Sequence, residues 1–258
     1  MKQRLISTMI MLPLLILVFL GGLPLYVGGL ILMGISLYEF YSAFNKIGKQ
    51  PIYAIGYIFV LSIFLANVYE FNKDIYEPIV FILFLVGILL LLMRKVDVID
   101  ISLTFSGILY ICFSFNYILL ISERLENGHI YVWLVFIIAF LTDTFAYLIG
   151  RKYGRHKLMP ATSPKKTIEG SIGGIIGSLV SCLVFAIIFK LPIPTVVFMS
   201  ILGSIIAQLG DLVASSIKRY VGIKDYGKLI PGHGGVLDRF DSVLLVSPFV
   251  YFVLLYFL

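Results

Sequence analysis

Apolar runs follow one another along the whole chain, and this succession constrains the fold more than any other feature of the sequence. A helix needs about 20 apolar residues to cross roughly 30 Å of hydrocarbon. Hydrophobic residues make up 60% of the 258 residues and charged residues 13%, whereas a soluble domain carries about 25% charged residues. The sequence therefore predicts an all-α, polytopic integral membrane protein without a separate soluble domain.

Nine apolar runs are long enough to be counted as membrane-spanning helices. The runs at 5–21 and 78–93 are the shortest, and they can cross if their flanking polar side chains reach back to the interface. No small-residue cleavage site follows the first run, so we interpret it as a retained span rather than a secretory signal. The predicted spans are 5–21, 24–43, 52–69, 78–93, 101–121, 131–149, 171–189, 193–214 and 240–258.

The distribution of lysine and arginine predicts the orientation of these spans. With the N-terminus in the cytoplasm, 17 of the 20 Lys and Arg residues fall on the inner side, and only Lys73, Arg124 and Lys190 fall outside. Short cytoplasmic loops carry such an excess of positive charge. The N-terminus is therefore predicted to be cytoplasmic. Because topology already explains the net charge of +6, no nucleic-acid partner is expected.

The chain divides into two regions that differ in polarity. The spans within 1–121 are nearly free of internal charge and are interpreted as a helical scaffold. Polar clusters gather in 122–258, which is interpreted as the catalytic region. The stretch from Gly170 to Ser178 contains overlapping pairs of small residues four apart, and this pattern lets two helix backbones approach closely.

Three aspartates stand out because charged side chains next to lipid are costly and mark functional sites. Asp211 follows a long apolar run, and Asp238 and Asp241 begin the last span three residues apart, on one helical face. Neighbouring carboxylates repel each other, and a bound cation removes that cost. We predict that Asp211, Asp238 and Asp241 hold Mg²⁺, with room for a second cation.

Cations and hydroxyl groups accompany these carboxylates. Ser215 and Lys218 lie four and seven residues after Asp211, so all three share one helical face. Lysines and hydroxyls between positions 142 and 170 suit a polyphosphate, and a glycine-rich turn lets backbone N–H groups approach phosphate. Lys218 joins the three aspartates as a predicted catalytic residue. The predicted substrate-binding residues are Asp143, Ser163, Lys165, Lys166, Thr167, Glu169, Ser215, Arg219, Lys224, Asp225 and His233.

Structural explanations compete with these functional ones. Asp211 can be an interfacial charge paired with Lys218, Asp238 can cap a helix, and His233 can simply hydrogen-bond within its loop. The basic residues at 151–157 are explained by topology alone. The sequence has no GxxxxGK[ST], HExxH or GxSxG motif, which argues against a P-loop ATPase, a zinc protease of that class and an α/β-hydrolase.

The segment from Ser215 to Asp241 resembles the signature of the phosphatidate cytidylyltransferases, also called CDP-diacylglycerol synthases. The resemblance covers the C-terminal half, whereas the N-terminal half is similar only as a run of apolar spans. Phe145 and Ile168 stand where many members have a small residue or tryptophan. The matching stretches are SSIKR from Ser215, KD from Lys224, PGHGG from Pro231 and DRFD from Asp238, with a second region running from Asp143 through Gly150-Arg151 to SPKKTIEG, which ends at Gly170.

The resemblance implies a multi-pass enzyme of the inner (cell) membrane, with a Mg²⁺-dependent site in a polar cavity that faces the cytoplasm. Its substrates would be CTP and phosphatidic acid, and its products CDP-diacylglycerol and pyrophosphate. A homodimer is also implied. In this scheme the three aspartates hold the cation, and Lys218 and Arg219 bind the phosphatidate phosphate or the departing pyrophosphate. Ser163, Lys165 and Lys166 bind the triphosphate, while Asp143 and Glu169 place the cytidine or support the lysines.

Three other functions are compatible with parts of the sequence. A CTP-dependent lipid kinase would use the same substrates but move the γ-phosphoryl group. A cation-coupled transporter would use the aspartates as ion sites, although such sites usually lie near the bilayer midplane between two related halves, and the charges here gather on one side. A non-catalytic scaffold would need neither the paired aspartates nor SPKKTIEG.

Overall fold

The computed structural model describes residues 16–69, 75–229 and 234–257, and helices dominate these ranges. A two-stranded antiparallel hairpin joins the fifth and sixth helices, with β1 at Lys157–Met159 and β2 at Ser163–Thr167. A π-helical stretch over Ile108–Phe113 lies within the fourth helix. The helices are α1 (Gly22–Asn45), α2 (Tyr53–Val68), α3 (Tyr76–Leu92), α4 (Val98–Arg124), α5 (Gly128–Tyr153), α6 (Ile168–Phe189), α7 (Ile193–Tyr220) and α8 (Leu237–Phe257).

These eight helices coincide one to one with eight of the nine predicted spans. Of the remaining run at 5–21, residues 5–15 lie outside the described residues, and residues 16–20 are helical. By length and composition, six of the helices can cross a membrane. The other two, α2 and α3, have 16 and 17 residues. At 1.5 Å per residue they reach only about 24–26 Å. The prediction of an all-α, multi-pass membrane protein is confirmed, whereas the count of nine and the side of the N-terminus stay predictions.

The chain forms two compact units, and the second is not simply the C-terminal half. The first unit contains residues 1–119 and also 221–239, and the second contains 120–220 and 240–258. The charged segment 221–239 therefore folds with the N-terminal helices, which the sequence did not indicate. The functional division at residue 121 stays a prediction.

Buried polar side chains link the helices of the first unit. The Tyr41 hydroxyl donates a 2.7 Å hydrogen bond to the carbonyl oxygen of Thr104. The Asn67 side chain is 1% exposed, and its amide donates to Asn116 Oδ1 at 3.1 Å and to the Tyr76 hydroxyl at 3.3 Å. Lipid tails are as apolar as leucine side chains, so the hydrophobic effect does not drive helices together within a membrane. Interhelical hydrogen bonds of this kind help them to associate instead.

Glycines bring α5 and α6 of the second unit into backbone contact. A Cβ atom at Gly170 would lie 2.6 Å from the carbonyl oxygen of Ala146, and one at Gly174 would lie 2.8 Å from that of Thr142. A Cβ at Gly177 would overlap the Phe145 side chain. These distances confirm the close packing predicted from the small-residue pattern, and they fix α6 against the part of α5 that carries Asp143.

Replacing Gly174 with alanine should destabilise the protein, because the backbone oxygen of Thr142 cannot move aside as a flexible side chain can. Overpacking of this kind costs about 1–3 kcal/mol. The matched control is Gly34→Ala in α1, where the new Cβ would meet only Tyr57 Cε1 at 3.9 Å and the higher helix propensity of alanine is favourable. Thermal unfolding in detergent should show a lower Tm for Gly174→Ala alone. Equal values for the two variants would contradict the packing described.

Candidate active site

The loop between α5 and α6 is a folded hairpin that is fastened to the start of α6. The Glu169 carboxylate accepts hydrogen bonds from the backbone N–H groups of Arg155, at 3.0 Å, and His156, at 3.2 Å. It also contacts His156 Nδ1 at 2.6 Å. Thr167 caps α6, since its Oγ1 accepts from the N–H of Gly170 at 3.1 Å, as a threonine at this position commonly does. The hairpin thus holds β2 at the helix start.

Strand β2 directs its two lysines differently, because neighbouring side chains of a strand point to opposite faces. Lys165 is exposed, whereas Lys166 is partly buried. The Lys166 ammonium forms an ion pair with Asp211 Oδ2. Ser163 begins the strand and is partly exposed. Of the residues predicted to bind the triphosphate, Lys166 is therefore the one seen in contact with an aspartate predicted to hold the cation.

Asp211 on α7 has a hydroxyl as well as an ammonium partner. Ser215 Oγ donates to Asp211 Oδ1 at 3.3 Å from one helical turn further on. This contact confirms that Asp211 and Ser215 share a face of the helix. The structural alternative for Asp211 was an interfacial charge paired with Lys218. In the structure, the cation paired with Asp211 is Lys166.

Asp241 on α8 interacts with charged groups from two other helices of the second unit. Its side chain is buried, with 7% of the residue exposed, and it interacts electrostatically with Asp211, Asp143 and Lys218. Helices α7 and α8 meet beside it, because a Cβ atom at Gly210 would lie 2.7 Å from the Asp241 carbonyl oxygen. Only glycine allows this approach, which brings Asp211 and Asp241 close together.

Asp143 on α5 completes this group of three carboxylates. Its Oδ2 atom accepts a 2.9 Å hydrogen bond from Ser242 Oγ. Ser242 is 1% exposed and was missed in the sequence analysis. Its position directly after Asp241, in the sequence DRFDS, was the one available signal.

The donor set of the second unit suits a divalent cation. The buried Asp241 interacts with both Asp143 and Asp211, and carboxylate oxygens are the ligands that Mg²⁺ prefers. Within the described ranges, no three His, Cys, Asp or Glu side chains are already arranged to hold a metal ion. Mg²⁺ usually takes one or two carboxylates and completes its shell with water and phosphate oxygens, so the residues present fit this ion.

Asp238 belongs to the first unit and has a different environment. It is 8% exposed, and its Oδ2 accepts from the N–H groups of Tyr226, at 2.8 Å, and Gly235, at 2.9 Å. Both donors precede α8, so these contacts differ from the helix cap considered as the structural alternative. The predicted role of Asp238 as a metal ligand stays a prediction. Lys224 and Asp225 are exposed in the same segment.

The predicted site residues therefore fall into three groups. Asp143, Lys166, Asp211, Ser215, Lys218 and Asp241 are brought together in the second unit. Ser163, Lys165, Thr167 and Glu169 lie on the hairpin or at the start of α6, and Arg219 is exposed in the last turn of α7. Lys224, Asp225 and Asp238 lie in the first unit, and His233 lies outside the described residues.

The fold and this group of charges define a multi-pass membrane protein with a cluster of aspartates and lysines among its apolar helices. The sequence model described as the cytidylyltransferase family matches residues 2–257. The chain therefore belongs to the cytidylyltransferase family.

Curated relatives are similar to the chain over part of its length. The phosphatidate cytidylyltransferase of Bacillus subtilis (strain 168) is 38% identical over 148 residues, which are 57% of this chain and 55% of the relative. Enzymes of the same name from Staphylococcus saprophyticus and Staphylococcus aureus (strain COL) are 37% and 39% identical, over 60% and 52% of both chains. The matched stretch spans little more than half the length of these relatives.

Removing the Glu169 carboxylate should loosen the start of the hairpin. Hydrogen bonds from backbone N–H groups to an ionised carboxylate are shorter and stronger than those between neutral groups. In Glu169→Gln, the amide hydrogens of Arg155 and His156 should exchange about tenfold faster or more. The control is Glu126→Gln, which removes an exposed carboxylate of the same unit and should leave this exchange unchanged. Unchanged exchange in Glu169→Gln would contradict the fastening role.

Proposed function

We propose that this protein transfers the cytidylyl group of CTP to phosphatidic acid, giving CDP-diacylglycerol and pyrophosphate. The observation that carries the proposal is the buried Asp241, surrounded by Asp143, Asp211 and Lys218. This site lies in a chain of the cytidylyltransferase family, and its named relatives are phosphatidate cytidylyltransferases. A membrane protein with such a site can bring a water-soluble nucleotide to a lipid phosphate.

The first requirement of this reaction is to overcome repulsion, because both substrates are anions. Lys218, with Arg219 beside it in the chain, would bind the phosphate of phosphatidic acid or the departing pyrophosphate. Lys166, with Lys165 and Ser163 on the same strand, would bind the triphosphate. Thr167 and Glu169 would keep that strand in place through the cap and the hydrogen bonds described. Asp143, held by Ser242, would orient the cytidine or the lysines.

Mg²⁺ would be held by Asp211 and Asp241, with Asp238 as the third predicted ligand and room for a second cation. When bound, the ion neutralises phosphate oxygens and stabilises the charge that develops on the α-phosphoryl group. The carboxylates of Asp143, Asp211 and Asp241 supply more negative charge than Lys166 and Lys218 offset. This excess is the feature that supports a resident cation.

The chemical step needs no protein nucleophile. An anionic oxygen of phosphatidic acid forms the new bond to the α-phosphorus of CTP. The bond from that phosphorus to the bridging oxygen breaks, and its electron pair leaves with pyrophosphate. Because the attacking oxygen is already ionised, no general base has to remove a proton. The residues contribute by holding the two phosphates in line and excluding water, which is how most of the rate enhancement in phosphoryl transfer arises.

The location and assembly of the enzyme are part of the same proposal. The excess of basic residues on one side supports a site that faces the cytoplasm from the cell membrane. CTP would then arrive from the cytoplasm and phosphatidic acid from the inner leaflet. A homodimer is expected from the resemblance described above.

The purified protein in detergent should convert CTP labelled on the α-phosphate, in the presence of phosphatidic acid and Mg²⁺, into a labelled lipid. Pyrophosphate should be released in equal amount, and EDTA should abolish both. Label that stays in water-soluble CDP would instead establish a lipid kinase. A folded preparation without nucleotide turnover would overturn the proposal and favour the transporter.

Exchanging the central carboxylates for amides should abolish turnover and leave the protein folded. Asp211→Asn and Asp241→Asn should each lower kcat by at least about 10²-fold, the loss typical of removing a group that stabilises transition-state charge. The same measurement on Asp238→Asn tests the third predicted ligand. The control is Asp97→Asn, since the Asp97 carboxylate pairs with Lys49 at 3.3 Å in an exposed position and such pairs contribute little. Near-normal activity of both Asp211→Asn and Asp241→Asn would rule out the metal site.

A further inference from the structure

We propose that Glu39 on α1 is a positioning residue for the segment from Ser215 to Asp241, called here the signature segment, and that it sets where α8 begins. The inference rests on the proposed function, because α8 carries two of the aspartates assigned to the reaction. Glu39 is part of no motif noted in the sequence. It lies in the N-terminal region that was interpreted as a scaffold.

The Glu39 carboxylate binds the start of α8 directly. Its Oε1 accepts from the N–H of Val236 at 3.1 Å, and its Oε2 accepts from the N–H of Leu237 at 2.8 Å. The first N–H groups of a helix have no partner within the helix, and a negative charge there is favoured by the helix dipole. Glu39 is 5% exposed, so these hydrogen bonds are shielded from water. A residue 198 positions away in the chain thus acts as the cap.

Two glycines of the signature segment leave the space that this carboxylate fills. A Cβ atom at Gly235 would overlap the Glu39 carboxylate, whose atoms are the three nearest to it. A Cβ at Gly227 would overlap Glu39 Oε1 as well. The backbone at Gly227 and the backbone at Gly235 therefore both contact the Glu39 carboxylate. This one side chain explains why glycine is favoured at each of the two positions.

One stretch of this segment borders a cavity. Tyr226, Gly227, Lys228 and Leu229 border a cavity of about 490 Å³ that Glu39 also lines. Hydrogen bonds help to hold the backbone where it borders this cavity. They include the pair at Glu39 and the two that Asp238 accepts from Tyr226 and Gly235.

Fixing the start of α8 also fixes the aspartates that follow it. Asp238 is the second residue of α8, and Asp241 follows one turn later. A shift of the helix start would move both carboxylates, and a displacement of about 1 Å at a reacting centre can cost on the order of 10²-fold in rate. Glu39 touches no reacting atom in this proposal, and it acts through α8.

The kinetic constants of Glu39 variants test this role. Glu39→Ala, and the isosteric Glu39→Gln in case the first does not fold, should lower kcat about tenfold or more per mole of folded protein, with a smaller change in KM for CTP. The control is Asn67→Ala, which removes a buried polar side chain of the same unit that is bonded to Asn116 and Tyr76. Asn67→Ala should lower Tm and leave kcat unchanged.

A double-mutant cycle tests the contact itself. Gly235→Ala should lower both Tm and kcat in the wild-type background, because the new Cβ meets the Glu39 carboxylate. In the Glu39→Ala background the same substitution should cost almost nothing, since the obstructing atoms are gone. Contacting residues deviate from additivity in this way.

The outcomes separate this inference from the proposed function. Normal kcat and KM in folded Glu39 variants, or additive effects in the cycle, would overturn the positioning role. Absence of cytidylyl transfer by the unsubstituted protein would overturn the proposed function, and the cycle measured by Tm would still decide whether Glu39 holds the start of α8.

Discussion

The cost of placing carboxylates among apolar helices governs the rest of this structure. An ionised carboxylate away from water is expensive unless hydrogen-bond donors or cations compensate for it. The described carboxylates solve this problem in different ways. Glu39 and Asp238 accept backbone N–H groups, whereas Asp211 has an ammonium and a hydroxyl partner. Asp241 is the exception, because two of the groups that act on it are themselves carboxylates.

This difference distinguishes carboxylates held by backbone donors from carboxylates held by side chains and charges. A carboxylate that accepts several backbone N–H groups is fixed in place, because moving it would leave those donors unsatisfied. Asp241 has its own neighbour Ser242 as a backbone donor and is otherwise surrounded by charge of the same sign and by Lys218. Such a group is stabilised by an added cation. Buried like charges are therefore a better indication of the site than burial alone.

The sequence predicts the secondary structure well and the local environments less well. Apolar length alone locates eight helices, and the four-residue spacing of small residues predicts the backbone contact between α5 and α6. It also predicts that Asp211 and Ser215 share a face. The pairing of Lys166 with Asp211 could not be predicted, because β2 and α7 are distant in the chain. The hairpin was missed because SPKKT lacks the alternation of apolar and polar residues that marks a strand.

Glu39 shows why the N-terminal helices cannot be treated as inert support. A single glutamate in an apolar run has no periodicity to mark it, and its partners are backbone N–H groups, which every residue except proline possesses. Only the fold reveals that these N–H groups begin the helix carrying Asp238 and Asp241. Segment 221–239 folds with α1 to α3 and most of α4 in one unit. The preference for glycine at 227 and 235 therefore comes from Glu39, nearly 200 residues earlier in the chain. A substitution of Glu39, in the apparent scaffold, is expected to affect the signature segment directly.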